Sequence, residues 1–159
     1  MANIRLIEVT VGDSVLDEVE RMFRQMHEFL KQKGSAYDLD QNGAHVWRCG
    51  IEKGLGRFSV LFVAFDGDQS IAFAHGAMRL PHDFFQPQRI GFVTHVYVEP
   101  SYRSARVGEK LMEKLEEWFR AKGAIAMELN VLTNNTGAQR FYERLGYGAD
   151  FVGMRKKIG

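Results

Sequence analysis

A strand, a helix and a second strand follow one another between residues 90 and 131, and this succession restricts the possible folds more than any other feature. The first strand, IGFVTHVYVE, ends before Pro100, and the second, AIAMELNVL, begins after Gly123. Two strands of one sheet that are joined through a helix run parallel, because the crossover brings the chain back to the edge where it started. The sequence therefore predicts one parallel strand pair with a helix packed on the sheet.

The preceding segments predict a different arrangement. FSVLFVAF and SIAFAHGAMRL are dense in apolar residues and flank the turn DGDQ, which indicates an antiparallel hairpin. We predict that the chain closes with YGADFVGMRKKI as a final strand. The predicted fold class is α/β (α+β), a mixed and mostly antiparallel sheet with helices on both faces, in a single domain spanning residues 1–159.

The first half of the chain is less regular. IRLIEV predicts a short strand, and apolar residues then recur at helical spacing from Val15 to Leu30. GAHVWRCGIEKG predicts either a second, shorter helix or a turn. The element order is therefore β-α-(α)-β-β-β-α-β-α-β.

Composition narrows the functional class. A net charge of +1 gives no reason to expect a nucleic-acid partner. The single cysteine, Cys49, permits no internal disulfide and fits a reducing compartment. The N-terminus has no signal pattern, and no apolar run is long enough for a bilayer, so we expect a cytoplasmic protein without membrane contact. The five histidines are scattered without ligand spacing, and we expect no metal.

The turn before the central helix has the chemistry of an anion site. Arg103, Arg106 and Gly108 lie between strand and helix, where the first backbone N–H groups of a helix have no intrahelical acceptor. Such a turn is a recurrent phosphate-binding element, although an ordinary turn with solvated arginines has the same composition. The G-x-x-x-x-G-K-[ST] order of a P-loop is absent. The predicted lining, called the cradle below, consists of Ser104, Ala105, Arg106, Val107, Gly108 and Glu109.

Two ordered motifs resemble those of the GCN5-related N-acetyltransferase (GNAT) superfamily. VYVEPSYRSARVGEKLM is similar to its acyl-CoA-binding motif, Gln/Arg-x-x-Gly-x-Gly/Ala after a strand, with Arg106 at the middle glycine. If that position has positive φ, arginine is strained there. NNTGAQRFYERLGY resembles the downstream motif of the family, and the likeness extends from Phe58 to Ile158. The residues that match the downstream motif are Asn135, Ala138, Tyr142, Gly146 and Tyr147.

The resemblance implies a cofactor and its contacts. Acetyl-CoA would be the co-substrate, with its pyrophosphate on the cradle beside Arg103 and its pantetheine arm against the edge of the strand residues Val96, Tyr97 and Val98. This requires the strand to diverge from the Ala124–Val131 strand. Asn135 would help to hold the arm.

The resemblance also implies a reaction, the acetylation of a primary amine in a small molecule or a peptide. Tyr142 would give a proton to the departing thiolate of coenzyme A, although a tyrosine that merely packs on the sheet is the alternative. The backbone near Val96 would stabilise the thioester oxygen.

The base that deprotonates the amine stays open at this stage. His95 has a suitable pKa, and we expect it and Thr94 to face opposite sides of their strand. His75, Glu128 and Asn130 are weaker candidates, of which asparagine is no base, and a water-mediated route needs none of them.

The acceptor site is less determined still. The loop LPHDFFQPQ offers Phe84 and Phe85 as aromatic walls, unless these two cap the core or a dimer contact. Asp40, Glu52 and Asp83 are carboxylates that would attract a cationic amine. The closing GYGADFVGM segment would suit a homodimer contact.

Two other functional classes remain open. A non-catalytic acyl-CoA-binding or sensor module would have the same fold and cradle without turnover. A general α/β interaction domain would bind no coenzyme A at all. An assay of thiol release separates the first from an enzyme, and binding of acetyl-CoA excludes the second.

Overall fold

The computed structural model describes residues 3–159, and a five-stranded sheet forms its framework. The strands lie side by side in chain order. The first, second and third neighbouring pairs are antiparallel, whereas the fourth pair, formed by the last two strands, is parallel. The predicted mixed sheet is therefore confirmed. Its strands are β1 (Ile4–Glu8), β2 (Ser59–Asp66), β3 (Gln69–Arg79), β4 (Ile90–Val98) and β5 (Ala126–Leu129).

Four helices cover the two faces of the sheet. The segment GAHVWRCGIE, for which the sequence predicts either a helix or a turn, is a helix. A short 3₁₀ turn at Pro100–Tyr102 follows β4 and ends its ladder. No helix within residues 3–159 has both the length and the apolar character that crossing a membrane requires. The helices are α1 (Leu16–Gln32), α2 (Gly43–Glu52), α3 (Val107–Ala121) and α4 (Thr136–Arg144).

The two faces of the sheet have separate cores. On one face, Phe23 of α1 packs with Leu61 and Phe73 of β2 and β3. On the other, α3 packs on alternate residues of the same strands, and α4 borders this second core. Because both faces of β2 and β3 are covered, their side chains are almost continuously buried, as the dense apolar sequence indicates.

Two glycines let α3 approach the sheet closely. A Cβ atom added at Gly91 would lie 2.4 Å from the Phe119 ring of α3, and one added at Gly76 would lie 2.5 Å from it. Phe119 is buried in this contact. The close packing keeps α3, and hence the cradle at its start, in a fixed position relative to β4.

The predicted closing strand is absent, which corrects the sequence-based expectation. Residues 148–159 have no regular secondary structure and are exposed. A strand exists only when a neighbour accepts its backbone hydrogen bonds, and these residues have no such neighbour in the described chain. The sequence of this segment suits a strand, but no partner strand is available to it.

Candidate active site

β4 and β5 separate halfway along β4. Their parallel pairing ends at Val93 with Leu129, and the described chain forms no further pair between them. β4 itself continues to Val98. Backbone groups of a strand point alternately to its two sides, so residues 94–98 present unpaired groups toward the space that β5 has left. This space, called the gap below, is the predicted divergence of the two parallel strands.

The gap opens beside the N-terminus of α3. Arg103 to Arg106 form an exposed turn, and Val107 is the first residue of the helix. The first intrahelical bond of α3 runs from the Lys110 N–H to the Arg106 carbonyl, 3.2 Å. The N–H groups of residues 107–109 therefore have no intrahelical acceptor, and they carry the partial positive charge of the helix end.

Arg106, which stands where the motif has its middle glycine, adopts the left-handed conformation. Its φ is 60° and its ψ is 22°, and among the residues described it is the one non-glycine with positive φ. The guanidinium makes two hydrogen bonds to the Glu109 carboxylate, at 2.9 and 2.8 Å. The strain expected from the sequence is therefore present, and the side chain pairs within the first turn of α3.

The Arg103 side chain makes contacts within the protein. Its Nε donates to the Val98 carbonyl at 3.1 Å, and its guanidinium lies 4.8 Å from the ring centroid of Phe29 in α1. It therefore ties the turn to the end of β4 and to α1.

Gly108 is closely surrounded by side chains of the protein. A Cβ atom there would lie 3.2 Å from Phe141 of α4 and 3.7 Å from Val98 of β4. The missing side chain would point toward α4 and β4. This differs from the sequence-based reason, which was close approach of a ligand.

Asn135 begins α4 as its N-cap. Its side-chain oxygen accepts a hydrogen bond from the Ala138 N–H at 3.3 Å, which satisfies one of the free donors at that helix end. α4 ends before Gly146, whose φ of 97° is typical of a C-cap glycine. The helix predicted from the second motif is thus confirmed at both ends, and the capping role of Asn135 is structural.

Tyr142 lies on α4 between two other aromatic rings. Its ring centroid is 5.0 Å from that of Phe141 and 5.6 Å from that of Tyr147. Burial, and the neighbouring Tyr147, raise the pKa of Tyr142 well above its usual range. The hydroxyl is therefore protonated at neutral pH and is chemically suited to donate a proton.

A β-bulge at Thr94 changes the faces predicted for β4. The register of β3 with β4 shifts there, since His75 pairs with His95 while the next residue, Gly76, pairs with Val93. The Thr94 hydroxyl lies 3.0 Å from His95 Nδ1 and also contacts His75 Nδ1. The expectation that Thr94 and His95 face opposite sides is therefore wrong, because the extra residue of the bulge brings both to the face covered by α1 and α2.

An aromatic cluster surrounds His95 on that face. Its ring lies 5.2 Å from that of Phe23, 5.4 Å from that of Trp47 and 6.3 Å from that of His27, between centroids. Burial and the neighbouring histidines lower the pKa of His95 to about 3. Burial lowers the pKa of His75 to about 4. Both rings are therefore neutral at pH 7, and the ordinary pKa that made His95 a candidate base in the sequence is not kept in the folded protein.

The other acceptor-site candidates are scattered. Phe84 and Phe85 stand exposed in the loop after β3 and do not cap the core. Glu52 is engaged with Arg48 and with the Gly12 N–H, whereas Asp40 lines a shallow cleft of about 230 Å³ beside His27. A larger surface concavity of about 510 Å³ lies near the β1 edge of the sheet, remote from the gap.

Sequence reasoning missed the surroundings of His95. Trp47 and Phe23 come from α2 and α1, so no local pattern places them beside β4. The bulge at Thr94 has no signal in the sequence, because neither glycine nor proline stands at that position. The candidates Glu128 and Asn130 are exposed, on or just after β5.

Several solved structures share this fold, and acetyltransferases are among them. A tetramutant of the BH1408 protein from Bacillus halodurans is 21% identical, with a TM-score of 0.82 and coverage of 97% of this chain and 99% of that one. The aminoglycoside N-acetyltransferase AAC(6')-Iy, in complex with CoA, is 17% identical, with a TM-score of 0.79 and coverage of 99% and 97%. A helix start beside two diverging parallel strands thus defines an acetyltransferase-type α/β fold.

Sequence comparison then gives the family. The acetyltransferase (GNAT) family matches residues 16–147, and the chain belongs to that family. An uncharacterised N-acetyltransferase of Methanocaldococcus jannaschii is 31% identical over 62 residues, which are 39% of this chain. The match spans 27% of the length of that relative.

Proposed function

We propose that the protein is an N-acetyltransferase that transfers the acetyl group of acetyl-CoA to a primary amine, by direct attack in a ternary complex. The observation that carries this proposal is the gap between β4 and β5, which opens beside the free N–H groups at the start of α3. In the proposal, residues 1–159 act as one domain and the acceptor is a small molecule or a peptide. Family membership supports acyl transfer as the class of reaction.

The cradle is the proposed site of the CoA pyrophosphate. Backbone N–H groups of residues 104–109 would hydrogen-bond the phosphate oxygens, with the helix end contributing its partial charge. Arg103 and Arg106 are both engaged within the protein, so the backbone carries more of this role than their guanidinium groups. The pantetheine arm would then lie along residues 96–98 of β4, beside the amide nitrogen of Asn135.

The proposed chemistry uses groups on both sides of the gap. A β4 backbone N–H near Val96 would stabilise negative charge on the thioester oxygen during attack. The Tyr142 hydroxyl, kept protonated by burial, would supply the proton that the thiolate of CoA takes as it leaves. The amine would approach from the face of α1 and α2, where Ala126 and Glu128 of β5 are exposed.

Two structural relatives are aminoglycoside acetyltransferases. AAC(6')-Iy has been solved with a bisubstrate analogue joining CoA to acetylneamine, and meta-AAC0020 from a soil metagenomic sample with sisomicin. Their low identity to this chain transfers the fold alone. The acceptor of this protein is accordingly proposed only as a primary amine.

Thiol release with a panel of amines tests the proposal. Acetyl-CoA should bind in calorimetry, and at least one class of amine should release free CoA thiol with formation of the acetylated amine. Binding without release for every amine would indicate the non-catalytic acyl-CoA module. No binding of acetyl-CoA would refute both.

We also propose a homodimer with a cytoplasmic location. Four large side chains of the C-terminal segment, Phe151, Val152, Met154 and Ile158, are 75–94% exposed, and no strand within residues 3–159 pairs with the outer edge of β5. Exposed apolar strands and open sheet edges are normally covered. Residues 148–159 of a second copy would supply a strand to that edge, and basic Arg155 to Lys157 would face a sheet edge that carries Glu128.

A further inference from the structure

The Thr94 hydroxyl contacts three hydrogen-bonding groups at once. Its Oγ1 lies 3.0 Å from the His75 carbonyl oxygen and contacts the Nδ1 atoms of both His75 and His95. A hydroxyl has one hydrogen to donate and two lone pairs that accept. A carbonyl oxygen can only accept, so the hydroxyl hydrogen goes there. Both Nδ1 atoms must then donate their own hydrogens to Thr94.

This count of hydrogens fixes the tautomers of two neutral histidines. With Nδ1 protonated, the Nε2 atoms of His75 and His95 carry bare lone pairs. Neutrality is secured by burial, which lowers the pKa of each ring far below 7. The arrangement satisfies all three contacts of Thr94 at once, and no other assignment does.

The two lone pairs differ in access. His75 is 4% exposed and its Nε2 is buried without a partner in the described structure. His95 is half-buried on the same face, next to the point where β5 leaves β4. Of the two lone pairs, that of His95 is therefore the more accessible.

We propose that Nε2 of His95 is the proton acceptor for the attacking amine, and that Thr94 is the positioning residue that holds His95 in this tautomer. His75 is the second histidine that donates to the Thr94 hydroxyl. The inference rests on the proposed function, because it assigns the base of that same site. It resolves the choice between His95 and a water-mediated route in favour of His95.

The step balances as follows. The amine nitrogen bonds to the acetyl carbon, the C–S bond breaks, and the amine proton passes to His95 Nε2. The amine enters as the free base, and attack makes its nitrogen positively charged and far more acidic, so the proton passes to the imidazole as the C–N bond forms. Sulfur takes its proton from Tyr142, and the imidazolium returns a proton through water to the tyrosinate. The sum is amine plus acetyl-CoA giving amide plus CoA thiol.

Nitrogen-15 NMR of the histidine rings tests the tautomers without any activity measurement. We expect His75 and His95 each to show a pyrrole-type Nδ1 and a pyridine-type Nε2, assigned with His75→Gln and His95→Gln. The exposed His82, whose ring stacks on Phe84 without a ring hydrogen bond among the described residues, provides the internal reference. A protonated Nε2 at His95 in the unmodified protein would overturn the proposal.

Kinetics of paired variants test the function of the tautomer. His95→Gln should lower kcat about 100-fold, within the usual range for a general base, with acetyl-CoA affinity unchanged. Thr94→Val, which removes only the hydroxyl, should lower kcat by about 10-fold and shift the His95 spectrum, and Thr94→Ser should restore both. Full activity of His95→Gln or Thr94→Val refutes the proposal. Absence of thiol release by the unmodified protein would instead refute the acetyltransferase function. The nitrogen-15 spectra would still test the histidine tautomers in that case.

Discussion

Arg106 shows how a single residue keeps a turn that its side chain disfavours. A left-handed non-glycine residue costs about 1–2 kcal/mol, and the surrounding turn must compensate. The paired Glu109 is part of that turn, although the ion pair is largely exposed and adds little. The turn therefore holds a left-handed backbone at this position without a glycine.

A substitution at this position checks the backbone argument. Arg106→Val should lower the free energy of unfolding by about 1–2 kcal/mol, because a β-branched residue fits the left-handed region poorly. Arg106→Gly, the matched control, should not lower it. Urea denaturation measures both, and equal losses in the two variants would mean that φ is not the determinant.

Tyr142 gives the second prediction at this scale. Tyr142→Phe should reduce kcat about 100-fold by removing the proton donor, while acetyl-CoA affinity stays the same. Tyr147→Phe is the control, since that hydroxyl contacts Met127 Sδ at 3.7 Å and has no proposed part in the reaction. Steady-state kinetics with calorimetry separates the two effects. Unchanged turnover in Tyr142→Phe would remove the acid role.

At the scale of elements, β4 combines three tasks along nine residues. Its first half pairs with β5, its middle bulges at Thr94, and its last residues border the gap. The bulge reorients His95 and so determines which face the candidate base occupies. The position of α3 over Gly76 and Gly91 holds the cradle beside this strand.

The contact of α3 with β4 is testable through Gly91. Gly91→Ala puts a Cβ atom 2.4 Å from the buried Phe119 ring, and overpacking of this kind should cost about 1–3 kcal/mol of unfolding free energy. Gly50→Ala is the control, because Gly50 lies in α2 with nothing within 4 Å of an added Cβ. It should stabilise the protein by about 0.5–1 kcal/mol. Equal thermal shifts in both variants would contradict the close packing.

The buried histidines of β3 and β4 predict a dependence of stability on pH. The pKa values of His75 and His95 are lowered in the folded state, to about 4 and about 3, so the unfolded chain binds more protons below pH 6.5. Their stabilising contribution is complete above pH 6.5 and is lost as the pH falls toward those folded values. The slope approaches about 1.4 kcal/mol per pH unit for each histidine.

Chemical denaturation between pH 7.5 and pH 5 measures this slope. His75→Gln should make it shallower, whereas His82→Gln, at an exposed position, should leave it unchanged. A slope of wild-type size in His75→Gln would show that the histidine is not the source.

At the scale of the whole molecule, the C-terminal segment is the feature that one copy leaves incomplete. Exchange of residues 148–159 between two copies would bury eight large apolar side chains and pair both open β5 edges, in a two-fold contact. Such an exchange would also bring a second chain to the sheet edge next to the gap.

Light scattering after gel filtration tests the exchange. The full chain should be a dimer, and a chain ending at Tyr147 should be a monomer. Met154→Glu should weaken the dimer because it places a charge in the new contact, whereas Asp150→Asn, a polar change in the same segment, should not. A monomeric full chain would refute the proposed homodimer.

Sequence by itself determined the order of the elements as far as α4, the parallel pair and the capped α4. These follow from local rules, namely the period of apolar residues, the glycines and prolines that end elements, and the crossover geometry. The two motifs also sufficed for the family, because their spacing reflects contacts of the chain with itself over short distances.

Only the tertiary structure decided the rest. The face of His95 depends on a bulge in the pairing of two strands, and the tautomers depend on a hydroxyl that three groups share. The close contact at Gly108 is made with α4. Whether the closing segment forms a strand depends on the presence of a partner strand. Each of these features depends on a contact between residues far apart in the chain. A local sequence pattern does not identify the distant residue that makes such a contact.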